Sequence, residues 1–222
     1  MACEQVRAGL VGQPAGTLTA LALVLAGVVI LAGRRPAGSR PRWTYGLLVV
    51  AVGVGSVVQH GPHPPWQAYA HDLPLAAVLG FVAADAAADL TGRPARAGWW
   101  LLPTAMLVPV IMVGPVASTL VQAGLAAVAI GLSLLRARAR PQLRRTLLVA
   151  LLVLAAGALI GTLGERTGWC RPDSLLQGHA VWHLLAAVAL WRLAPAIGVR
   201  LPASDQVSAG REPADRTASG WL

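Results

Sequence analysis

The sequence predicts an all-α polytopic membrane protein. It reads as one seven-transmembrane-helix bundle over residues 1–200, amino terminus outside and carboxyl terminus cytoplasmic, followed by a disordered cytoplasmic tail over 201–222. Three observations carry this reading. The 222 residues are 56% hydrophobic and only 12% charged, with a positive mean hydropathy, which is not the composition of a water-soluble domain. Seven apolar runs of roughly 16–20 residues follow one another, each long enough to cross a hydrocarbon core as a helix. The arginines between these runs alternate in density from loop to loop.

The first run, 17–33, follows no basic segment and lacks a small-residue cleavage site, so it reads as a retained helix and not a signal peptide. The second, 43–60, closes on His60 and contains Gly53, Gly55 and Ser56, small residues that let helices approach closely. The third, 71–90, opens on His71 and Asp72, and an Asp there can cap the helix and favour its dipole. Near its other end stand Asp85 and Asp89, read as structural, and Asp89 can pair with Arg93 four residues on. The fourth, 98–114, starts near Trp99 and Trp100, and Pro103, Pro109 and Pro115 should kink or end it. The fifth covers 116–135. The sixth, 146–164, carries the close-packing motif Gly157-x-x-x-Gly161, and the seventh spans 177–194. The tail beyond is polar and rich in Ala, Ser and Pro.

All 18 basic residues are Arg, against nine acids. They crowd the loops after runs 1, 3 and 5, for example Arg34, Arg35, Arg93, Arg96, Arg138 and Arg140, whereas the loop after run 2 and the turn after run 4 have none. By the positive-inside rule this sets the orientation and explains the net charge of +9. A nucleic-acid footprint would need one continuous basic patch with stacking aromatics, so none is expected.

That topology puts all five histidines at the outer face: His60, His63 and His71 around the 2–3 loop, His179 and His183 at the start of helix 7. His179 and His183 are four residues apart and share a helix face, so both imidazoles can reach one metal ion. His60 lies at comparable depth and supplies a third ligand, and three His with an open fourth position is the pattern of a catalytic zinc site. Ser56 lies one helical turn, roughly 5.4 Å, beneath His60. No Glu stands between His179 and His183, so a general base must come from elsewhere, and Asp72 is the available carboxylate. His63 and His71 read as loop residues.

At these residues the chain resembles the alkaline ceramidases, in the seven-helix superfamily that includes the progestin and adiponectin receptors. Ser56-x-x-x-His60 is similar to that family's Ser/His pair, His179-x-x-x-His183 to its seventh-helix zinc pair, and Asp72 in "HDLP" to its third-helix Asp. Strict alignment of Leu73-Pro74 instead puts His71 at the Asp position, which leaves the base as Asp72 or His71. Cys3-Glu4 resembles the family's Cys-Glu start, but Gln13 and Gly16 stand where a carboxylate and an Asn are expected, so calcium is not expected. Cys3 and Cys170, the only cysteines and both placed outside by the topology, are either a pair or two unrelated thiols; the resemblance implies a Cys3–Cys170 disulfide.

The function expected is therefore that of a zinc-dependent, multi-pass hydrolase of the cell membrane. His60, His179 and His183 hold Zn2+, Asp72 acts on the activated water, and Ser56 stabilises the oxyanion of a ceramide-like lipid amide. The alternative is a non-catalytic receptor or sensor with a structural zinc site. A haem clamp is disfavoured because His179 and His183 share a helix, and a transporter because the mid-helix segments are apolar.

Overall fold

Proline and glycine punctuate the chain into helices much as the apolar runs predict. The computed structural model describes residues 3–33, 40–166, 170–174 and 176–200, and the expected tail at 201–222 lies outside the described residues. Among the described residues the secondary structure is all helical: α1 (Pro14–Ala32), α2 (Arg40–His60), α3 (Gln67–Thr91), α4 (Gly98–Val113), α5 (Pro115–Ala139), α6 (Pro141–Arg166) and α7 (Gly178–Leu193), closed by a 3-10 turn at Ala194–Ala196. Pro14, Pro115 and Pro141 each open a helix, where a missing N–H costs nothing and the fixed φ is already helical. Gly92, in the left-handed region at φ 68°, ends α3.

Five helices, α1, α2, α3, α5 and α6, are long and apolar enough to cross a membrane, which marks the chain as a membrane protein. The other two, α4 and α7, have 16 residues each. Of the expected prolines, Pro103 and Pro109 lie inside α4 and Pro115 begins α5.

The start of α3 differs from the sequence expectation. The apolar run points to residue 71, but the helix begins at Gln67, which leaves Pro74 inside it. Pro74 cannot donate to the carbonyl of Ala70 four residues back. That carbonyl lies against Gly55 of α2, where an added Cβ would collide with the Ala70 oxygen and come within 3.0 Å of His71 Cα. The glycine and the proline together bring the second turn of α3 against the end of α2.

Helices neighbouring in sequence pack in turn, and α7 closes against α1, so α6, α7, α1, α2, α3 and α5 form a ring with α4 outside against α3 and α5. The core lies among α1, α2, α3 and α7, around Leu23, Ile30, Tyr45, Val49, Val78 and Phe81. Tyr45 is fully buried and donates its hydroxyl to the carbonyl of Leu190 at 2.9 Å. On α4 only Leu107 is buried, while Leu102, Met106 and Met112 are exposed, an apolar outer surface suited to lipid. Gly157 and Gly161 pack on Leu185 and Trp182, as the close-packing motif predicts, and Gly164 continues the seam onto Gly178.

At the end of the bundle away from the histidines, the carboxylate of Asp89 is held by α5 and the residue that follows it. Arg136 Nε donates to it at 2.8 Å and Arg140 Nη2 at 3.3 Å, so long-range partners take the place open to Arg93.

Candidate metal centre

Three imidazoles meet at the other end. His60 ends α2, His179 and His183 stand one turn apart at the start of α7, and a nitrogen from each lies within 4.8 Å of the others. Their ring centroids are 4.9 Å (His60–His179), 5.0 Å (His60–His183) and 4.7 Å (His179–His183) apart. His60 and His183 are buried and His179 is partly so.

Each ring is held from behind by an acceptor on its Nδ1. His60 Nδ1 donates to Gln13 Oε1 at 2.7 Å, and His179 Nδ1 to Glu165 Oε1 at 2.9 Å. His183 Nδ1 lies 3.2 Å from Thr19 Oγ1. Thr19 gives its own hydroxyl proton to the carbonyl of Ala15 at 2.7 Å, so its oxygen accepts from His183. All three acceptors select the tautomer with the proton on Nδ1, which leaves Nε2 as a lone pair. The Nε2 atoms of His60 and His179 are buried and have no hydrogen-bond partner. Converging lone pairs with no donor among them form a cation site, and outer-shell acceptors on Nδ1 are the usual support of metal-bound histidine. The donor set fits a metal ion; an all-imidazole set suits zinc and several other transition metals.

The support for His60 begins at the amino-terminal segment. Gln13 sits just before α1, is 4% exposed, receives the remainder of its order from Glu4 through Nε2 donated to the Glu4 carbonyl at 2.8 Å, and donates its own backbone N–H to the carbonyl of His60 at 2.8 Å. Glu4 in turn caps α1 with its carboxylate, accepting the backbone N–H groups of Ala15 at 2.7 Å and Gly16 at 2.9 Å. Cys3 is bonded to Cys170 in a disulfide, which ties this segment to the residues before α7. Gly16 provides the space for the ring: a Cβ there would stand 2.9 Å from both Cγ and Nδ1 of His60.

Asp72 does not present a free carboxylate. Its Oδ1 accepts from His71 Nδ1 at 2.7 Å and its Oδ2 from Ser118 Oγ at 2.5 Å, while Gln122 Nε2 donates to the same Ser118 hydroxyl at 3.0 Å. The acid thus fixes the His71 tautomer in the same sense as the other three, with Nε2 as the open atom. Ser56 is buried at 1% exposure, one turn before His60 on α2. His63 is outside the three-histidine group. It occupies the 2–3 loop at φ 47°, with Nδ1 2.9 Å from Gln67 Oε1.

The sequence reading did not identify Gln13, Thr19 or Glu165. Glu165 carried a signal, since the topology put its carboxylate at the face of the histidines. Gln13 and Thr19 carried none, because nothing in their spacing reveals that α1 packs against both α2 and α7. No protein-family model and no curated protein sequence matches this chain.

Proposed function

We propose that the protein is a zinc-dependent integral-membrane hydrolase, ceramidase-like, that cleaves the amide bond of a ceramide-like lipid. The observation that carries the reading is the convergence of three imidazoles whose Nδ1 atoms are all engaged from outside. Zinc held by His60, His179 and His183 would supply Lewis acidity and a water nucleophile near neutral pH.

The chain's own groups provide the rest. Asp72 holds the proton of His71 on Nδ1, which leaves His71 Nε2 to accept the proton of the attacking water and to return it to the leaving amine nitrogen. In this role Asp72 is the partner of the base His71. Ser56 donates its hydroxyl to the carbonyl oxygen as negative charge develops there. In this reading all seven helices cross the bilayer with the amino terminus outside. The site then lies at headgroup depth, where a lipid amide can enter while its acyl chains stay beside the apolar outer faces of the helices.

The test has two readouts on the detergent-purified chain, metal content by mass spectrometry and release of fatty acid from ceramides of several chain lengths. The expected result is about one zinc per chain, lost in His179→Ala/His183→Ala, with turnover lost in parallel. Zinc without turnover of any lipid amide would favour the receptor or sensor reading. A folded parent without metal would sink both.

A further inference from the structure

The end of the bundle opposite the histidines holds two kinds of arginine. Arg136 is buried at 2% exposure and fully committed, with Nε to Asp89 Oδ2 at 2.8 Å, Nη1 to Asp85 Oδ2 at 3.0 Å and Nη2 to the carbonyl of Val199 at 2.9 Å. Arg140 adds a bond to the Asp89 carbonyl at 2.9 Å, and Arg200 Nη2 reaches Asp85 Oδ1 at 2.9 Å. Two carboxylates therefore face three guanidinium groups, and the network already carries surplus positive charge.

Beside it opens a cavity of about 250 Å³ onto which Arg40, Arg96 and Arg200 converge from three separate parts of the chain: the start of α2, the residues before α4 and the residues after α7. Thr44 adds a hydroxyl, and Phe81 and Trp100, edge to face at 5.8 Å, form an apolar wall. Arg40 and Arg96 form no ion pair with an acid among the described residues. The first turns of α2 and α4 also point their positive dipole ends toward this side. Asp85 also lines the cavity and is shared by Arg136 and Arg200, so Arg40 and Arg96 bring positive charge that no acid on the wall offsets, and with one apolar wall beside them they call for an anion attached to an apolar body.

We propose that this cavity binds the phosphate of an anionic phospholipid, with Arg40, Arg96 and Arg200 on its oxygens and the acyl chains along the exposed Leu101 and Leu102 flank of α4. Inorganic phosphate would satisfy the arginines but would leave Phe81 and Trp100 facing water, which is why the lipid is favoured. The inference rests on the membrane reading and is independent of the hydrolase reading.

The full chain, released from bilayers containing equal phosphatidylglycerol and phosphatidylcholine, is examined by native mass spectrometry for retained lipid. The parent is expected to retain phosphatidylglycerol over phosphatidylcholine by about tenfold, and Arg40→Gln/Arg96→Gln to lose that preference. Both residues are exposed and form no ion pair among the described residues, so the variant should fold. Arg138→Gln/Arg144→Gln removes the same charge from exposed positions at the same end, outside the cavity, and is expected to keep the preference. Excess inorganic phosphate is expected not to displace the lipid. No preference in the parent, equal loss in both double variants, retention in Arg40→Gln/Arg96→Gln, or displacement by phosphate would each overturn the proposal.

Discussion

Glu165 accepts the Nδ1 proton of His179 at 2.9 Å, across the seam where α6 meets α7. The seam is close because Gly164 and Gly178 face each other: a Cβ on Gly164 would come within 2.7 Å of Gly178 Cα. A carboxylate so placed orients the imidazole and makes its other nitrogen a better donor to a metal. Glu165→Ala is therefore expected to weaken metal binding by roughly 10–100-fold in a chelator competition. Glu165→Gln keeps an acceptor oxygen and should lose less. Equal affinity in Glu165→Ala and the parent would show that the contact does not support a ligand.

Gly16 is the seat of the His60 ring. Gly16→Ala drives a methyl into Cγ and Nδ1, and either the ring turns away or α1 shifts. Overpacking of this kind costs about 1–3 kcal/mol. The expected outcome is a lower Tm together with substoichiometric metal, read on the same sample. A stable variant with full metal content would show that the ring can move without consequence.

In the proposed hydrolase, His71 and Asp72 separate binding from chemistry. His71→Gln and Asp72→Asn are each expected to retain metal, because neither residue belongs to the three-histidine group. Turnover should fall by about 10²–10⁴-fold in His71→Gln, the usual contribution of a general base. Ser118→Ala removes one of the two bonds to the Asp72 carboxylate and should lower turnover less. If Asp72→Asn proved inactive while His71→Gln kept full activity, the carboxylate and not the imidazole would be the base.

The Cys3–Cys170 disulfide joins residues 167 positions apart and holds Glu4 and Gln13 at the head of α1. Cys3→Ser/Cys170→Ser is expected to lose about 2–5 kcal/mol of stability. Because Gln13 orients His60, metal affinity should fall with it, and a chelator titration before and after reduction of the parent measures the same coupling. Unchanged affinity after reduction would mean that Gln13 is held without the bridge.

Arg136 is enclosed with both Asp85 and Asp89. Arg136→Met leaves two buried carboxylates short of their principal counter-charge, and breaking a buried pair from one side costs about 3–5 kcal/mol. Thermal unfolding should show a large loss, with metal content at the far end unchanged in the folded fraction. Wild-type stability would mean that Arg140 and Arg200 suffice.

Apolar run length and proline positions were enough to locate seven helices, because those are properties of local sequence. The histidine set was legible for a related reason. The i, i+4 spacing on α7 is local, and only the depth of His60 had to be inferred across helices. Two local readings failed to carry over. Asp89 could pair with Arg93 four residues on, yet Arg136 of α5 and Arg140 just after it supply the partners, since a buried carboxylate takes the donors that packing brings to it. The run beginning at residue 71 misplaced the start of α3, because apolar run length does not register the polar first turn that begins at Gln67, and Gly55 leaves room there for the Ala70 carbonyl that Pro74 cannot bond.

The sequence by itself determined the helical class, the apolar surface and the His179–His183 pair, which follow from residue type and periodicity, and His60 joined them through the alternation of charge between loops. Only the tertiary structure decided what stands behind those imidazoles. Gln13, Thr19 and Glu165 come from α1, the segment before it and the end of α6, and no spacing along the chain relates them to His60, His183 and His179. The same holds for the contact of Asp72 with Ser118, which exists only because α5 packs against α3. A hydrogen bond needs its two atoms within about 3 Å, and between residues distant in sequence only the packing of the helices sets that distance.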